Sequence, residues 1–173
     1  MQTTRYPRDS GNVTRLIYLN AYILNQGDNF IAEHTPAKDA RAANFPTEID
    51  EQTALVTHTQ PKEWFYSPTS GSPTTSDSDM ETALALIKPM AVSTFMEPAR
   101  YGGYGWAKYG VPVTYIGSKR DVAIPLSMQE DYVKRLEEAG NEVTAVWLDG
   151  DHSPYLSQPE MIASLIQDSV IGW

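Results

Sequence analysis

The sequence contains no cysteine among its 173 residues. This excludes disulfide bonds, thiolate nucleophiles and every zinc site built on cysteine ligands. Basic residues are scarce as well: 13 Lys and Arg face 22 Asp and Glu, which gives a formal net charge of −9. So acidic a chain argues against nucleic acid or an anionic membrane as a partner, because phosphate groups are bound through a basic surface.

Long apolar runs are also absent from the sequence. None approaches the ~18 residues of a membrane span, and residues 1–15 lack the apolar core of a signal peptide. We therefore expect an intracellular, cytoplasmic protein. The 41% of hydrophobic and 20% of charged residues fit an ordinary globular domain with a sizeable core.

Three short apolar runs predict buried strands at residues 13–19 (VTRLIYL), 111–116 (VPVTYI) and 142–148 (EVTAVWL). Each of the last two is followed by a helix pattern. The first helix is expected behind the capping box Ser127-x-x-Glu130 and ends near Gly140, and the second starts at Ser157-x-x-Glu160 with Pro159 in its first turn. The expected inner faces are Met128, Tyr132, Val133 and Leu136, and then Met161, Ile162, Leu165, Ile166 and Ser169/Val170. This alternation predicts an α/β fold with a parallel sheet covered on both faces.

Residues 25–110 interrupt the α/β pattern. We expect short helices at 36–44 and 61–65 and a longer one at 79–88, behind the capping box Ser78-x-x-Glu81. The polar composition of residues 67–78 predicts an exposed loop. Residues 101–110 (YGGYGWAKYG) are expected to form a loop that is held by its aromatic side chains. An insertion of this size after a strand is typical of a lid. The predicted division is 1–24 for the N-terminal segment and first strand, 25–110 for the lid and 111–173 for the C-terminal α/β core.

Candidate catalytic residues follow two of the predicted strands. His152 comes directly after the third strand and Asp121 after the second. Side chains at the carboxyl ends of neighbouring parallel strands meet at one sheet edge, where a carboxylate can orient an imidazole and stabilise its cation. The alternative is that both are ordinary turn or surface residues. His34 and His58 fit surface positions in the lid.

A metal site is not expected. Asp149, Asp151 and His152 are close in sequence but lack a recognised ligand spacing, and we expect no cofactor.

Two segments carry a family resemblance: YIGSKRDVAIPLSMQEDYV around Asp121 and VWLDGDHSPYLSQPEMI around His152. They resemble the C-terminal part of the α/β-hydrolase superfamily, most of all its small esterase, methylesterase and hydroxynitrile-lyase-like branch. Upstream, VTRLIYLNAYIL is similar to that family's sixth strand, and EWFY with ALALIKPMAVSTFMEP to its cap. The resemblance implies a partial α/β-hydrolase fold, with three parallel strands, flanking helices and an inserted, mainly helical lid. It also implies that Asp121 is the triad acid, with Asp28 as runner-up, and that His152 is the general base.

The sequence departs from that family at the nucleophile. It contains no G-x-S-x-G elbow and no match to the oxyanion loop, and Ser10 precedes the first strand, so Ser10 does not fit the nucleophile position. Three hypotheses stay open. The chain is related to hydrolases of small apolar esters or lactones; or it performs non-hydrolytic acid/base chemistry, as a lyase, isomerase or cyclase; or it is a non-catalytic binding or regulatory protein.

Two kinds of partner are expected. Six large side chains suggest a pocket wall for a small apolar molecule, although each also fits the core of the lid: Trp64, Phe65, Tyr66, Phe95, Met96 and Trp106. The first strand of such a remnant sheet has an unpaired apolar edge. A homodimer or a completing chain is expected there, unless the sequence is a truncated form of a longer hydrolase.

Overall fold

The computed structural model of the protein describes residues 13–33, 46–66 and 75–171, and these form two small sheets with short helices. In chain order the elements are β1 (Leu16–Leu19), α1 (Phe30–Glu33), β2 (Thr47–Asp50), β3 (Leu55–His58), α2 (Pro61–Phe65), α3 (Asp77–Leu86), β4 (Met90–Ala91), α4 (Ser93–Met96), β5 (Val113–Ser118), α5 (Leu126–Glu138), β6 (Val143–Leu148), α6 (Pro154–Ser157) and α7 (Pro159–Ile171).

The predicted parallel sheet is confirmed. Its strand order is β1-β5-β6, with Leu16 opposite Val113 and Val113 opposite Val143. Every residue of β5 is buried, as expected for a central strand of a sheet covered on both faces. The three strands run in the same direction, so the segments that follow them emerge at one edge. β1 starts later than predicted, at Leu16, because the residues before it do not pair with β5.

Helix α5 covers one face of this sheet through the stripe that the sequence predicts. Met128, Tyr132, Val133 and Leu136 are all buried, in one cluster with Val113 and Tyr115 of β5 and others. The helix ends near Gly140, whose φ of +82° favours glycine.

The start of α5 differs from the prediction. Helix α5 begins at Leu126 behind Pro125, without a side-chain cap, so Ser127 already has helical backbone and cannot act as the cap.

Two other predicted caps are wrong for the same reason. Ser78 lies inside α3, where Ser76 is the cap and its Oγ accepts a hydrogen bond of 3.2 Å from the Asp79 backbone N–H. Ser157 is the last residue of α6, and its buried Oγ has no hydrogen-bond partner among the described residues. A cap requires non-helical backbone, which a serine inside a helix does not have.

The predicted inner face of α7 is buried only in part. Ile162 is buried, in a small cluster with Ile116 and Leu148. Met161, Ile166 and Val170 are exposed, which corrects the prediction for them. Leu165 is partly buried and packs against the same cluster, so the buried contacts described for α7 lie in its first two turns.

The segment between β1 and β5 contains a three-stranded antiparallel sheet, β2-β3-β4, that the sequence did not predict. Its strands are two to four residues long, and β2 (TEID) is mostly exposed and polar. The helix expected at 61–65 is confirmed as α2, and the one expected at 79–88 is α3. The expected helix at 36–44 and most of the expected loop at 67–78 lie outside the described residues.

The loop at 101–110 is held by aromatic side chains, as predicted. The Tyr104 hydroxyl donates a 2.8 Å hydrogen bond to the Ile23 carbonyl, and the Trp106 indole N–H donates one of 3.2 Å to the Tyr18 hydroxyl. The loop lies so close to the segment after β1 that a Cβ on Gly103 would meet the Ile23 side chain at 2.5 Å. Throughout the described ranges, no helix is both long and apolar enough to cross a membrane.

Candidate active site

Asp121 is fixed in the turn that follows β5. Its Oδ1 accepts a 2.8 Å hydrogen bond from the Ile124 backbone N–H, and its own N–H donates to the Ser118 carbonyl at 3.3 Å. The side chain is fully buried, with 0% of its surface exposed. This leaves Oδ2 as the carboxylate oxygen that is available to another group.

That group is the His152 imidazole. Nδ1 of His152 lies 2.9 Å from Oδ2 of Asp121, and 23% of the histidine side chain is exposed. With a carboxylate as the acceptor, Nδ1 carries the proton and Nε2 is left as the basic nitrogen. The structure therefore brings together the two residues that the sequence placed after neighbouring strands. Asp28, the other candidate acid, accepts a 2.9 Å hydrogen bond from the Asn25 side chain.

Asn20 joins the ends of all three parallel strands. Its Nδ2 donates to Ser118 Oγ at 2.9 Å and to the carbonyls of Asp151 and His152 at 3.0 Å each. Asn20 has a φ of +40°, a conformation that asparagine tolerates better than most residues. It therefore fixes the backbone of His152 relative to β5. Sequence reasoning missed Asn20, although a polar residue directly after an apolar strand is the same signal that identified Asp121.

Gln129 of α5 fixes the loop between β5 and that helix. Its Oε1 accepts from the Ser118 N–H at 3.0 Å, and its Nε2 donates to the carbonyls of Ser118 at 3.0 Å and Ile124 at 2.7 Å. The residue is completely buried. Because Ile124 also holds Asp121, Gln129 positions the carboxylate indirectly.

Asp151 is a second buried carboxylate beside the imidazole, with 1% of the residue exposed. Its Oδ1 accepts from the Ser153 N–H at 2.9 Å, while Oδ2 has no hydrogen-bond partner among the described residues. Burial raises the pKa of Asp151, and the nearby Asp121 carboxylate raises it further.

Asp149, by contrast, points outward and pairs with Arg120 at 2.6 Å. Across the described ranges, no three His, Asp or Glu side chains are grouped closely enough to hold a metal ion.

The imidazole of His152 lines a cavity of about 250 Å³. The other lining residues are Tyr22, Phe30, His58, Phe65, Met90, Thr94, Phe95 and Ala123. His58 is only partly exposed, because it packs edge-on against Phe65 with a ring distance of 4.9 Å. The expectation of a surface histidine is therefore wrong for His58. Nothing in its local sequence shows the burial, since Phe65 and Phe95 reach it from other elements.

The six residues predicted to form a pocket wall do not lie together in the structure. Phe65 and Phe95 line the cavity beside His152. Tyr66 is buried behind Phe65, at a ring distance of 6.2 Å, Trp64 is half-buried on α2, and Met96 is 56% exposed. Trp106 lines a separate, wider cavity of about 1300 Å³ between the 101–111 loop and the start of β1.

Comparisons with known proteins agree with this architecture. No family model matches the chain. It is 27% identical over 157 residues to "Probable hydrolase R7" from a Phoma species, a match that covers 90% of this chain and 59% of the relative. In structure it is similar to the methylesterase MES16 from Arabidopsis, with a TM-score of 0.66 and 17% identity. It is also similar to a variant of the pyrethroid hydrolase PytH, with a TM-score of 0.61 and 22% identity.

The chain has part of an α/β-hydrolase fold. The match to MES16 covers 92% of this chain and 60% of MES16. The match to PytH covers 90% of this chain and 60% of PytH. Polyneuridine aldehyde esterase is a further structural neighbour, with a TM-score of 0.59 and 16% identity, covering 90% of this chain and 61% of the esterase. The chain thus spans about three fifths of each of these proteins. The α/β-hydrolase resemblance predicted from the segments around Asp121 and His152 is confirmed at the level of the fold.

Proposed function

We propose that Asp121 and His152 are the acid and the general base of a hydrolytic site for small apolar esters. The observation that carries this proposal is the 2.9 Å contact between a fully buried carboxylate and a partly exposed imidazole at the wall of an aromatic cavity. The hydrolase and esterase names of the relatives support the same reaction class.

In this proposal His152 Nε2 takes a proton from the attacking hydroxyl or water and later returns it to the leaving alcohol. Asp121 keeps the imidazole in the tautomer whose Nε2 is basic and stabilises the cation that forms. Its charge is effective because the carboxylate is shielded from water. A general base placed in this way contributes about 10²–10⁴-fold to the rate. The 173 residues contain no G-x-S-x-G segment, so no serine nucleophile is assigned within them.

The apolar lining of the cavity supports the proposal that the substrate is apolar. Phenylalanine rings and one methionine form much of its wall, and none of the lining residues within the described ranges is Lys, Arg, Asp or Glu. An apolar acyl or alcohol group gains free energy by leaving water for such a wall, whereas a charged group loses its hydration without finding a counter-ion.

The test is hydrolysis of 4-nitrophenyl butyrate by the purified 173-residue chain, with His152→Ala and Ser10→Ala beside it. We expect slow turnover above background that His152→Ala abolishes and Ser10→Ala leaves unchanged. Turnover that depends on Ser10 would contradict the proposal and point to a serine nucleophile at the N-terminus. No turnover in any form, or turnover unaffected by His152→Ala, would refute hydrolysis by this chain and favour the binding hypothesis.

A further inference from the structure

The imidazole of His152 contacts an aromatic ring from the segment between β1 and β5. The ring centroids of Phe65 and His152 lie 5.3 Å apart, and the two planes are inclined by 37°. The rings are thus nearer to parallel than to edge-on, at a distance typical of favourable aromatic pairs. Phe65 ends α2, whereas Asp121 and His152 follow strands of the parallel sheet. The imidazole is therefore held from two different parts of the chain.

The hydrogen bond to Asp121 does not by itself fix the plane of the imidazole. Rotation about the bond between a histidine ring and its Cβ has broad, roughly two-fold minima, so the surrounding contacts select the orientation. A half-turn would place a carbon atom where Nδ1 now lies and would break the 2.9 Å contact with Asp121. Because 23% of the side chain is exposed, part of the ring borders solvent and not protein. A packed ring face is what restricts such a rotation.

Phe65 is itself held in place by neighbouring side chains. Its ring packs edge-on against His58 of β3, with a centroid distance of 4.9 Å, and lies 6.2 Å from the ring of the buried Tyr66. The Tyr66 N–H donates a 3.0 Å hydrogen bond to the Lys62 carbonyl and so closes the last turn of α2. The ring of Phe65 therefore forms a fixed surface beside His152.

We propose that Phe65 is a positioning residue for His152, whose ring packs against the imidazole and keeps Nδ1 on the Asp121 carboxylate. The catalytic consequence rests on the proposed function, because it takes His152 as the general base. An aromatic pair favours its packed geometry by about two- to tenfold. Displacement of α2 would remove this contact, so the placement of the segment between β1 and β5 controls the orientation of the base.

The ligand-free 173-residue chain tests this inference through the tautomer of His152. Imidazole 15N shifts, recorded by NMR at about pH 8, report which ring nitrogen carries the proton, and an imidazole turned away from Asp121 is no longer held in the Nδ1–H form. In Phe65→Ala we expect the ratio of the Nδ1–H to the Nε2–H form of His152 to fall about two- to tenfold. Phe65→Tyr keeps the ring and is expected to match the unmodified chain.

Phe95→Ala is the matched control, because Phe95 lines the same cavity but packs against Phe30 and His58. We expect it to leave the tautomer of His152 unchanged. If Phe65 only contacted the substrate, Phe65→Ala would raise the KM of ester hydrolysis without changing the tautomer in the ligand-free chain. An unchanged tautomer ratio in Phe65→Ala, or an equal fall in Phe95→Ala, would each overturn the inference.

A second variant covers the case in which Phe65→Ala does not fold. Phe65→Leu keeps most of the apolar volume but removes the ring, and the same fall in the tautomer ratio is expected for it. In the unmodified chain, nuclear Overhauser contacts between the ring protons of Phe65 and His152 are expected, and their absence would refute the packing on which the inference depends. The expected tautomer change in a chain that does not hydrolyse 4-nitrophenyl butyrate would refute only the proposed function.

Discussion

Both carboxylate oxygens of Asp121 are engaged inside the protein, Oδ1 by the Ile124 N–H and Oδ2 by His152. The first contact holds the carboxylate in place, and the second acts on the imidazole. An asparagine at this position can keep the first contact, since its own Oδ1 is also an acceptor. It cannot stabilise an imidazolium, because the negative charge is gone.

Asp121→Asn therefore separates orientation from charge at the residue scale. If Asp121 serves His152 as proposed, we expect the variant to fold normally, to lower any His152-dependent ester hydrolysis by about 10²-fold or more, and to change the tautomer of His152. Hydrolysis rates and the imidazole 15N shifts measure the two effects. Asp149→Asn is the matched control, because that carboxylate is three residues from His152 but exposed and paired with Arg120. Equal rates in the unmodified chain and in Asp121→Asn would contradict the role of the charge.

The buried carboxyl group of Asp151 leads to a prediction of how the stability of the fold depends on pH. Its pKa is raised above the ordinary 3.8, mainly because burial disfavours the charged form. The unfolded chain therefore loses its proton at lower pH than the folded chain. The contribution of Asp151 to stability is thus fully present below about pH 3.8 and is lost as the pH rises through the folded-state pKa.

We expect Asp151→Asn to raise the melting temperature at about pH 7 and to have a much smaller effect near pH 3.5. The asparagine Oδ1 can still accept from the Ser153 N–H, and the buried negative charge is removed. Melting curves at the two pH values, followed by circular dichroism, measure the difference. A lower melting temperature for Asp151→Asn at pH 7 would contradict the prediction, because it would show that the contacts of the charged carboxylate outweigh the cost of its burial.

How far the site is predictable from sequence depends on whether its contacts are local. Asp121 and His152 follow strands with clear apolar patterns, so their meeting at one edge follows from parallel pairing. His58 reaches the same cavity from β3, and its burial comes from Phe65 and Phe95 on separate helices. No local pattern reports such a contact.

At the scale of elements, the strongest patterns predicted the structure best. The stripe of α5 was predicted correctly because a buried face imposes a clear hydrophobic period. The strands β5 and β6 were also found, but β5 lies two residues later than predicted, and of β6, predicted to be buried, only Leu148 is. The predicted caps at Ser78, Ser127 and Ser157 failed because each serine lies within a helix, and sequence patterns do not define a helix boundary to within one or two residues. β2 was missed because a short, exposed, polar strand gives almost no periodic signal.

The loop between β5 and α5 depends on Gln129, which replaces regular backbone pairing with three side-chain hydrogen bonds. Gln129→Met keeps the length of the side chain but removes all three bonds. It leaves the buried Ser118 N–H without its acceptor, which costs about 1–3 kcal/mol for that group alone. We expect a loss of about 2–4 kcal/mol in the free energy of unfolding, measured by urea denaturation.

Ser127→Ala is the control within the same helix. Ser127 is exposed in the first turn of α5 and does not cap it, so we expect a change within about 0.5 kcal/mol. A loss of stability in Ser127→Ala as large as that in Gln129→Met would mean that the helix start, and not the buried hydrogen bonds, controls this loop.

At the scale of the whole molecule, a buried ion pair joins the segment after β1 to the α/β core. Arg135 of α5 donates to Glu33 of α1 at 2.6 Å, and Glu33 is 1% exposed. The guanidinium also lies 4.9 Å from the Tyr132 ring centroid and 5.2 Å from that of Tyr104. Because α1 also carries Phe30, whose ring contacts Tyr22 and Phe95, this ion pair holds one wall of the His152 cavity against the core.

Within the described ranges, the β1 side of the parallel sheet is less completely covered. Among the described residues β1 pairs only with β5, and the wide cavity near the start of β1 is bordered by exposed apolar side chains. Val13 is 60% exposed, Tyr101 87% and Tyr109 67%. A strand edge that is left unpaired beside apolar surface favours association, although a net charge of −9 opposes contact between copies.

We therefore expect the purified 173-residue chain to associate through this surface, with a mass by light scattering that rises with protein concentration. The double variant Val13→Glu and Tyr101→Glu places two charges beside the start of β1. We expect its dissociation constant for self-association to rise about tenfold or more, because burying two unpaired carboxylates costs at least about 1.4 kcal/mol. Ile49→Glu together with Leu86→Glu is the matched control, since these residues are also exposed, at 59% and 69%, and the charge change is identical. Association that both double variants weaken equally would mean that net charge, and not the β1 surface, governs it. A monomer at every concentration would show that this edge is covered within a single chain.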